Sequence, residues 1–193
     1  ELILKPELET DPSVRQRLQR LSQWGTTTVY PILLHLLDRR DRDVATSEEI
    51  AQAMLYIESF LVRRLLIGRA TANVNRNLLE SVNEVASEAD VAGALHRYLS
   101  SGRKYYAGDD EVRDALTRVP FYLNGRPNQR KLVLQWIEES YGSKEPVDPA
   151  KLTIEHVMPQ KPTPEWRDEL APDLGEGEIF HEAHRALEHT LGN

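Results

Sequence analysis

Glu155 and His156 stand side by side in the stretch LTIEHVMPQ, Leu152 to Gln160, and they are residue types that metal-assisted hydrolysis uses. Cleaving a phosphodiester needs a base to deprotonate water and a cation to receive charge on the phosphoryl and leaving-group oxygens. His156 can supply the first near neutral pH, and Glu155 offers a hard oxygen ligand for Mg²⁺. The β-branched and apolar residues around the pair suit a short strand that Pro159 would stop. Alternation along a strand sends neighbours to opposite faces, so both reach one cleft only where a kink or the strand's end turns them together. The plainer reading is a surface acid beside a locally hydrogen-bonded histidine. The dipeptide alone does not choose between them.

The remaining histidines pose the same question. His181 and His184 are spaced i,i+3 in the last helical pattern and so fall on one face, with His189 beyond them. An HxxH pair can bind zinc, but the glutamate and the downstream ligand of the zincin signatures are missing. Structural or surface roles come first for these three, then phosphate-facing or accessory roles, and last a dedicated metal site. His35, within an apolar helix, and His96, beside Leu95, are expected to be satisfied residues at the edge of a core.

The elements that must position these groups are helical. Asp11-Pro12 is an N-cap followed by proline in the first turn, and Val14, Leu18 and Leu21 repeat at helical spacing up to Trp24. Tyr30-Pro31 opens a helix that is apolar nearly all round. Thr46-Ser47-Glu48-Glu49 is a capping box. It starts a long helix, from Glu48 to about Ile67, with Gly68 as its stop. Further helices follow from Val74, from Asp90 and from Asp109 or Asp110, and Asn128 is expected to cap one over Gln129 to about Ser140. The segment YGSKEPVDPA, Tyr141 to Ala150, breaks this pattern. The chain is therefore divided into residues 1–145, a helical domain, and residues 146–193, a short strand, a Pro-rich loop and helices near Glu165–Leu170 and Ile179–Thr190.

Composition sets further bounds. The chain has 193 residues, 24 Lys and Arg against 31 Asp and Glu, a net charge of -7 and no cysteine. Disulfides and thiolate chemistry are excluded, and an acidic total argues against a broad non-specific nucleic-acid surface. Basic residues nonetheless cluster at Arg15, Arg17 and Arg20, at Arg39, Arg40 and Arg42, at Arg63, Arg64 and Arg69, and at Arg126, Arg130 and Lys131, so a local basic face is compatible with that total. No apolar stretch is long enough to span a bilayer, and no leader is visible. A cytoplasmic location with no membrane partner is the expectation, and the absence of an initiator Met suggests a fragment of something longer.

IEHVMPQ, followed by Trp166 and then by LGN at Leu191 to Asn193, resembles the C-terminal nuclease region of the GmrSD-type modification-dependent restriction endonucleases. YIESFLVRRLLIG from Tyr56, TANVNRNL after it and RPNQRKLVLQWIEE from Arg126 resemble the helical region that precedes it in that family. The resemblance implies a mainly α fold: a helical array followed by a partial ββα-metal segment of the HNH, or His-Me finger, type. It implies a metal-dependent DNA endonuclease of restriction or antiphage defence, with DNA, possibly base-modified, and a ParB-like nucleotide-dependent N-terminal domain as partners. His156 matches the family's general base, Glu155 its metal ligand for Mg²⁺ or another divalent cation, and Asn193 the residue that steadies the histidine ring. Arg63 and Arg64 would either interact with their helix's dipole or contact that N-terminal domain or DNA. Relatives continue past LGN with a second strand and a further ligand that are not present here, so half a finger, weak metal binding and negligible cleavage by residues 1–193 alone are expected. The alternative is a helical protein-interaction or signal-transmitting module with no catalysis of its own.

Overall fold

The computed structural model describes residues 1–69, 71–142, 151–174 and 177–192. The chain forms two compact units, one made of Glu1–Arg64 with Arg69–Ala107 and the other of Leu65–Gly68 with Gly108–Asn193. The boundary expected near residue 145 falls in the stretch 143–150, outside the described residues.

In the first unit, α1 (Pro12–Trp24), α2 (Tyr30–Asp41), α3 (Ser47–Leu66), α4 (Val74–Val85) and α5 (Val91–Ser100) follow one another, and the last residues of α3 pass into the second unit. Local chemistry explains their limits. Asp11 accepts from the backbone N–H groups of Ser13 and Val14 at 2.9 and 3.0 Å, which satisfies two of the donors a helix start leaves open. Thr46 and Glu49 bond reciprocally at the head of α3, Glu49 N–H to Thr46 Oγ1 at 3.2 Å and Thr46 N–H to Glu49 Oε2 at 2.8 Å. Gly68, in the left-handed region at φ 66°, ends that helix. A Cβ there would lie 2.9 Å from Val119 Cγ1.

Helix α2 packs on α4 and α4 on α5. Their inward stripes, with that of α3, put Ile32, Leu36, Ile50, Met54, Ile57, Phe60, Leu78 and Leu95 fully out of water. Each such side chain contributes about 1.5–3 kcal/mol of transfer free energy. Ion pairs are built into the same unit. Buried Glu58 accepts from Arg17 Nη1 at 2.9 Å and Arg20 Nη1 at 3.1 Å, and buried Glu9 accepts from Arg40 Nη1 at 2.9 Å. Arg39, also buried, donates to the carbonyls of Val85 at the end of α4 and of Ala86 and Glu88 just after it, where a helix end leaves acceptors open.

The second unit holds α6 (Asp109–Ala115), a 3-10 turn at Phe121–Leu123, α7 (Pro127–Ser140), α8 (Pro164–Leu174) and α9 (Gly177–Leu187). Asn128 is not the cap of α7. Pro127 takes the first helical position and the Arg126 N–H is bound by Gln129 Oε1 at 3.1 Å. The buried apolar residues described in this unit are Leu65, Ala115, Phe121, Val133 and Phe180.

No strand exists among the described residues, so the expected partial ββα-metal segment is overturned. Leu152–His156 lies outside any helix, and no neighbouring strand runs beside it in the described chain. Alternating β-branched residues make a strand only when a second segment takes up the ladder hydrogen bonds. The part of the second unit that follows is helical instead.

Candidate functional site

Two contacts that hold the segment around Glu155 and His156 are at His156 and Pro159. The first anchor is the His156 ring, which sits edge-on to Tyr122, centroids 4.8 Å apart at 74°. Tyr122 belongs to the 3-10 turn, and its N–H donates to His189 O at 2.9 Å. Burial raises the Tyr122 phenol above its ordinary value, since the ring is removed from water. The second anchor is Pro159, whose carbonyl lies 2.8 Å from His184 Nε2. Between the anchors Val157 is 81% exposed. Glu155 is exposed too, and its Oε1 accepts from Thr153 Oγ1 at 3.3 Å.

His181 and His184 share a spacing but not an environment. His184 is buried on α9 and stacks on Phe180 with centroids 6.0 Å apart at 18°, whereas His181 is exposed. Nδ1 of His184 lies 3.6 Å from Glu188 Oε2, and Glu188 Oε1 lies 3.0 Å from His189 Nε2. Of the LGN element, Gly192 donates its N–H to Leu116 O at 3.1 Å, and Asn193 lies outside the described residues.

Several arginines of the first three basic clusters bind within the first unit. Besides the pairs already described, Arg15 donates to Glu9 O at 3.2 Å and Arg42 to Asp38 Oδ2 at 3.2 Å. At the end of α3, Arg63 donates to Ala107 O and Arg64 to Lys104 O, both at 2.9 Å. Burial lowers the Arg64 pKa, with Arg69 adding to the effect. Arg69 covers the Tyr105 ring at 4.1 Å, and Tyr105 itself is held at φ 65°, a conformation costly for a bulky side chain. The two arginines expected to cap α3 or reach outward therefore fasten residues 104–107 of the first unit. His96, expected at the core edge, stacks on Tyr56 at 4.5 Å and meets Tyr106 edge-on at 4.8 Å. His35 is not satisfied as expected, because its buried Nε2 has no hydrogen-bond partner among the described residues. An open groove in the first unit, lined by Asp11, Ser13, Gln16, Arg17, Glu48, Ala51, Gln52 and Leu55, draws its charged groups from the α1 cap, the Glu58 pair and the first turn of α3.

Sequence reasoning missed the Pro159–His184 contact. Its signal was the buried face of the α9 pattern, where His184 falls one turn after Phe180.

The described residues make up an all-helical protein in which the IEHVMPQ segment is an anchored loop. Residues 106–193 match the family described as GmrSD restriction endonucleases, C-terminal domain. That match begins just before Gly108, where the second unit resumes. No curated protein and no solved structure matches the chain.

The family match does not restore the nuclease. The HNH finger is overturned by the helical fold, and with it the reading of the protein as a metal-dependent DNA endonuclease or hydrolase working through magnesium. Among the described residues no group of three or more His, Asp or Glu side chains is placed to hold a metal ion. Nor is any described helix long and apolar enough to cross a membrane.

Proposed function

We propose that the chain is a helical protein-interaction module that transmits the state of a partner domain and performs no catalysis of its own. The observation that carries this reading is the loop anchored at His156 and Pro159 with Val157 displayed between the two contacts. Beside that display, Glu155 stands in solvent and His156 is laid against the Tyr122 ring. Leu152, Ile154, Trp166 and Ile179 of the same unit are exposed as well, and apolar side chains held in water are the raw material of an interface.

The partner in this reading is a ParB-like nucleotide-dependent domain with an apolar pocket for Val157, and DNA, base-modified or plain, stands behind that domain. Glu155 belongs to the displayed surface and His156 to the anchor. The arginine contacts at residues 104–107 keep the end of α3 stiff, as a transmitting element requires.

Isothermal titration of a GmrSD-type ParB-like domain with residues 1–193 tests the proposal. Val157→Asp, at an exposed position, keeps the fold and is expected to weaken binding about tenfold or more, the size of a central interface contact. Equal affinity of wild type and variant, or no binding by either, would overturn it.

A further inference from the structure

Pro159, Pro162 and Pro164 leave the end of the loop with few backbone donors of its own, because proline has no N–H. The Pro159 carbonyl takes its donor from α9 instead. A carbonyl only accepts, so the 2.8 Å contact places the imidazole proton of His184 on Nε2. The ring cannot swing away cheaply. It is only 7% exposed and it stacks on Phe180. Further along, the carbonyl of His189 binds the Tyr122 N–H beneath His156. These two anchors of the loop therefore run back to one short stretch, residues 184–189, one through His184 and Pro159, the other through His189, Tyr122 and His156.

We infer that His184 is a positioning residue, a latch on α9 whose Nε2–H holds Pro159 and so sets the conformation in which Val157 is displayed. The latch acts on the segment and touches no partner, and it rests on the proposed interaction reading only for the use to which the displayed loop is put. Release of the Pro159 carbonyl removes one hold on the loop end while the His156 contact remains, so opening the latch changes what a partner meets without unfolding α9.

The chain has no cysteine, so Val157→Cys accepts a single nitroxide label at an exposed site. Two substitutions are compared in that background. His184→Leu keeps most of the volume against Phe180 and cannot donate, and His184→Gln can donate from its amide nitrogen. The spin-label spectrum is expected to show a mobile population about tenfold larger in His184→Leu, the effect of one hydrogen bond, and to return to the parent shape in His184→Gln. Nitrogen-15 shifts of the unlabelled wild-type chain are expected to place the His184 proton on Nε2. Equal mobility in the two variants, or a mobile loop in neither, would overturn the latch. Should His184→Leu lose its helical circular dichroism, the Gln variant and the tautomer decide: a mobile loop with Gln, or a proton on Nδ1 alone, overturns it. All of these measurements omit the partner, so a failed latch is distinguishable from a failed docking surface.

Discussion

The two units divide their apolar residues in different proportions: the first exposes Leu4, Leu8, Leu34, Val44 and Leu79 yet carries the larger buried set. In the first, α2, α3, α4 and α5 turn Ile32, Ile50, Met54, Ile57, Leu78 and Leu95 fully inward, and charged groups that enter, such as Glu58 and Arg39, arrive with partners. In the second, Leu123, Ile137, Leu152, Ile154, Val157, Trp166 and Ile179 remain exposed, while much of the order around the loop comes from polar and ring contacts of His184, His189 and Tyr122. A core tolerates few changes because its contacts are dense, whereas a unit organised by a handful of directed contacts can hold a loop in one shape and still release it. Stability lives on the first kind of packing, and recognition is open to the second.

The sharpest contrast is in the response to truncation. Ile57→Ala, at a fully buried position of α3, is expected to cost about 2–5 kcal/mol in urea unfolding, through lost transfer energy and the cavity left behind. A loss under about 1 kcal/mol would mean that the first unit has no such core. Next in size is Glu58→Ala, which removes the buried carboxylate that Arg17 and Arg20 share. Because both arginines keep some access to water, a loss of about 2–3 kcal/mol is expected in the same assay.

A smaller effect concerns pH. Burial lowers the His35 pKa below its ordinary 6.5, with Arg39 adding to the effect. The unfolded chain then binds the proton that the folded chain refuses, so this residue's contribution to stability is present above about pH 6.5 and is lost as pH falls toward the lower folded value. The thermal midpoint of wild type should drop more than that of His35→Leu between pH 7 and pH 5. Parallel curves would remove His35 from the account. Smallest of all, Val157→Ala should change stability by less than about 0.5 kcal/mol, as expected where a side chain is 81% exposed. A larger loss would place Val157 in a core and erase the contrast.

Much of the first unit was legible because its signals are local. Asp11-Pro12, the Thr46 and Glu49 box and Gly68 each act within a few residues of where they stand, and the helices begin and end beside them. The Asn128 cap failed by the same logic, since Pro127 was an equally local signal and took precedence. The loop was not legible in this way. Leu152–His156 has a strand's composition, but a strand is completed by a neighbour, and that lies in no single segment's sequence. The types of Glu155 and His156 pointed to hydrolysis. Their placement depends on Tyr122 and, through Pro159, on His184, which is 25 positions from its acceptor. Arg39 shows the same limit, because its charge suggested a basic face while its carbonyl partners come from α4 and the turn after it.

The measurement that bears most directly on the anchored, non-catalytic loop is a nicking assay of residues 1–193 on plain and base-modified duplex DNA across a Mg²⁺ titration, run beside His156→Ala. The account predicts intact DNA with both proteins, at matched circular dichroism. Metal-dependent nicking by wild type that falls roughly 10²-fold or more in a folded His156→Ala variant, the scale of a lost general base, would contradict it.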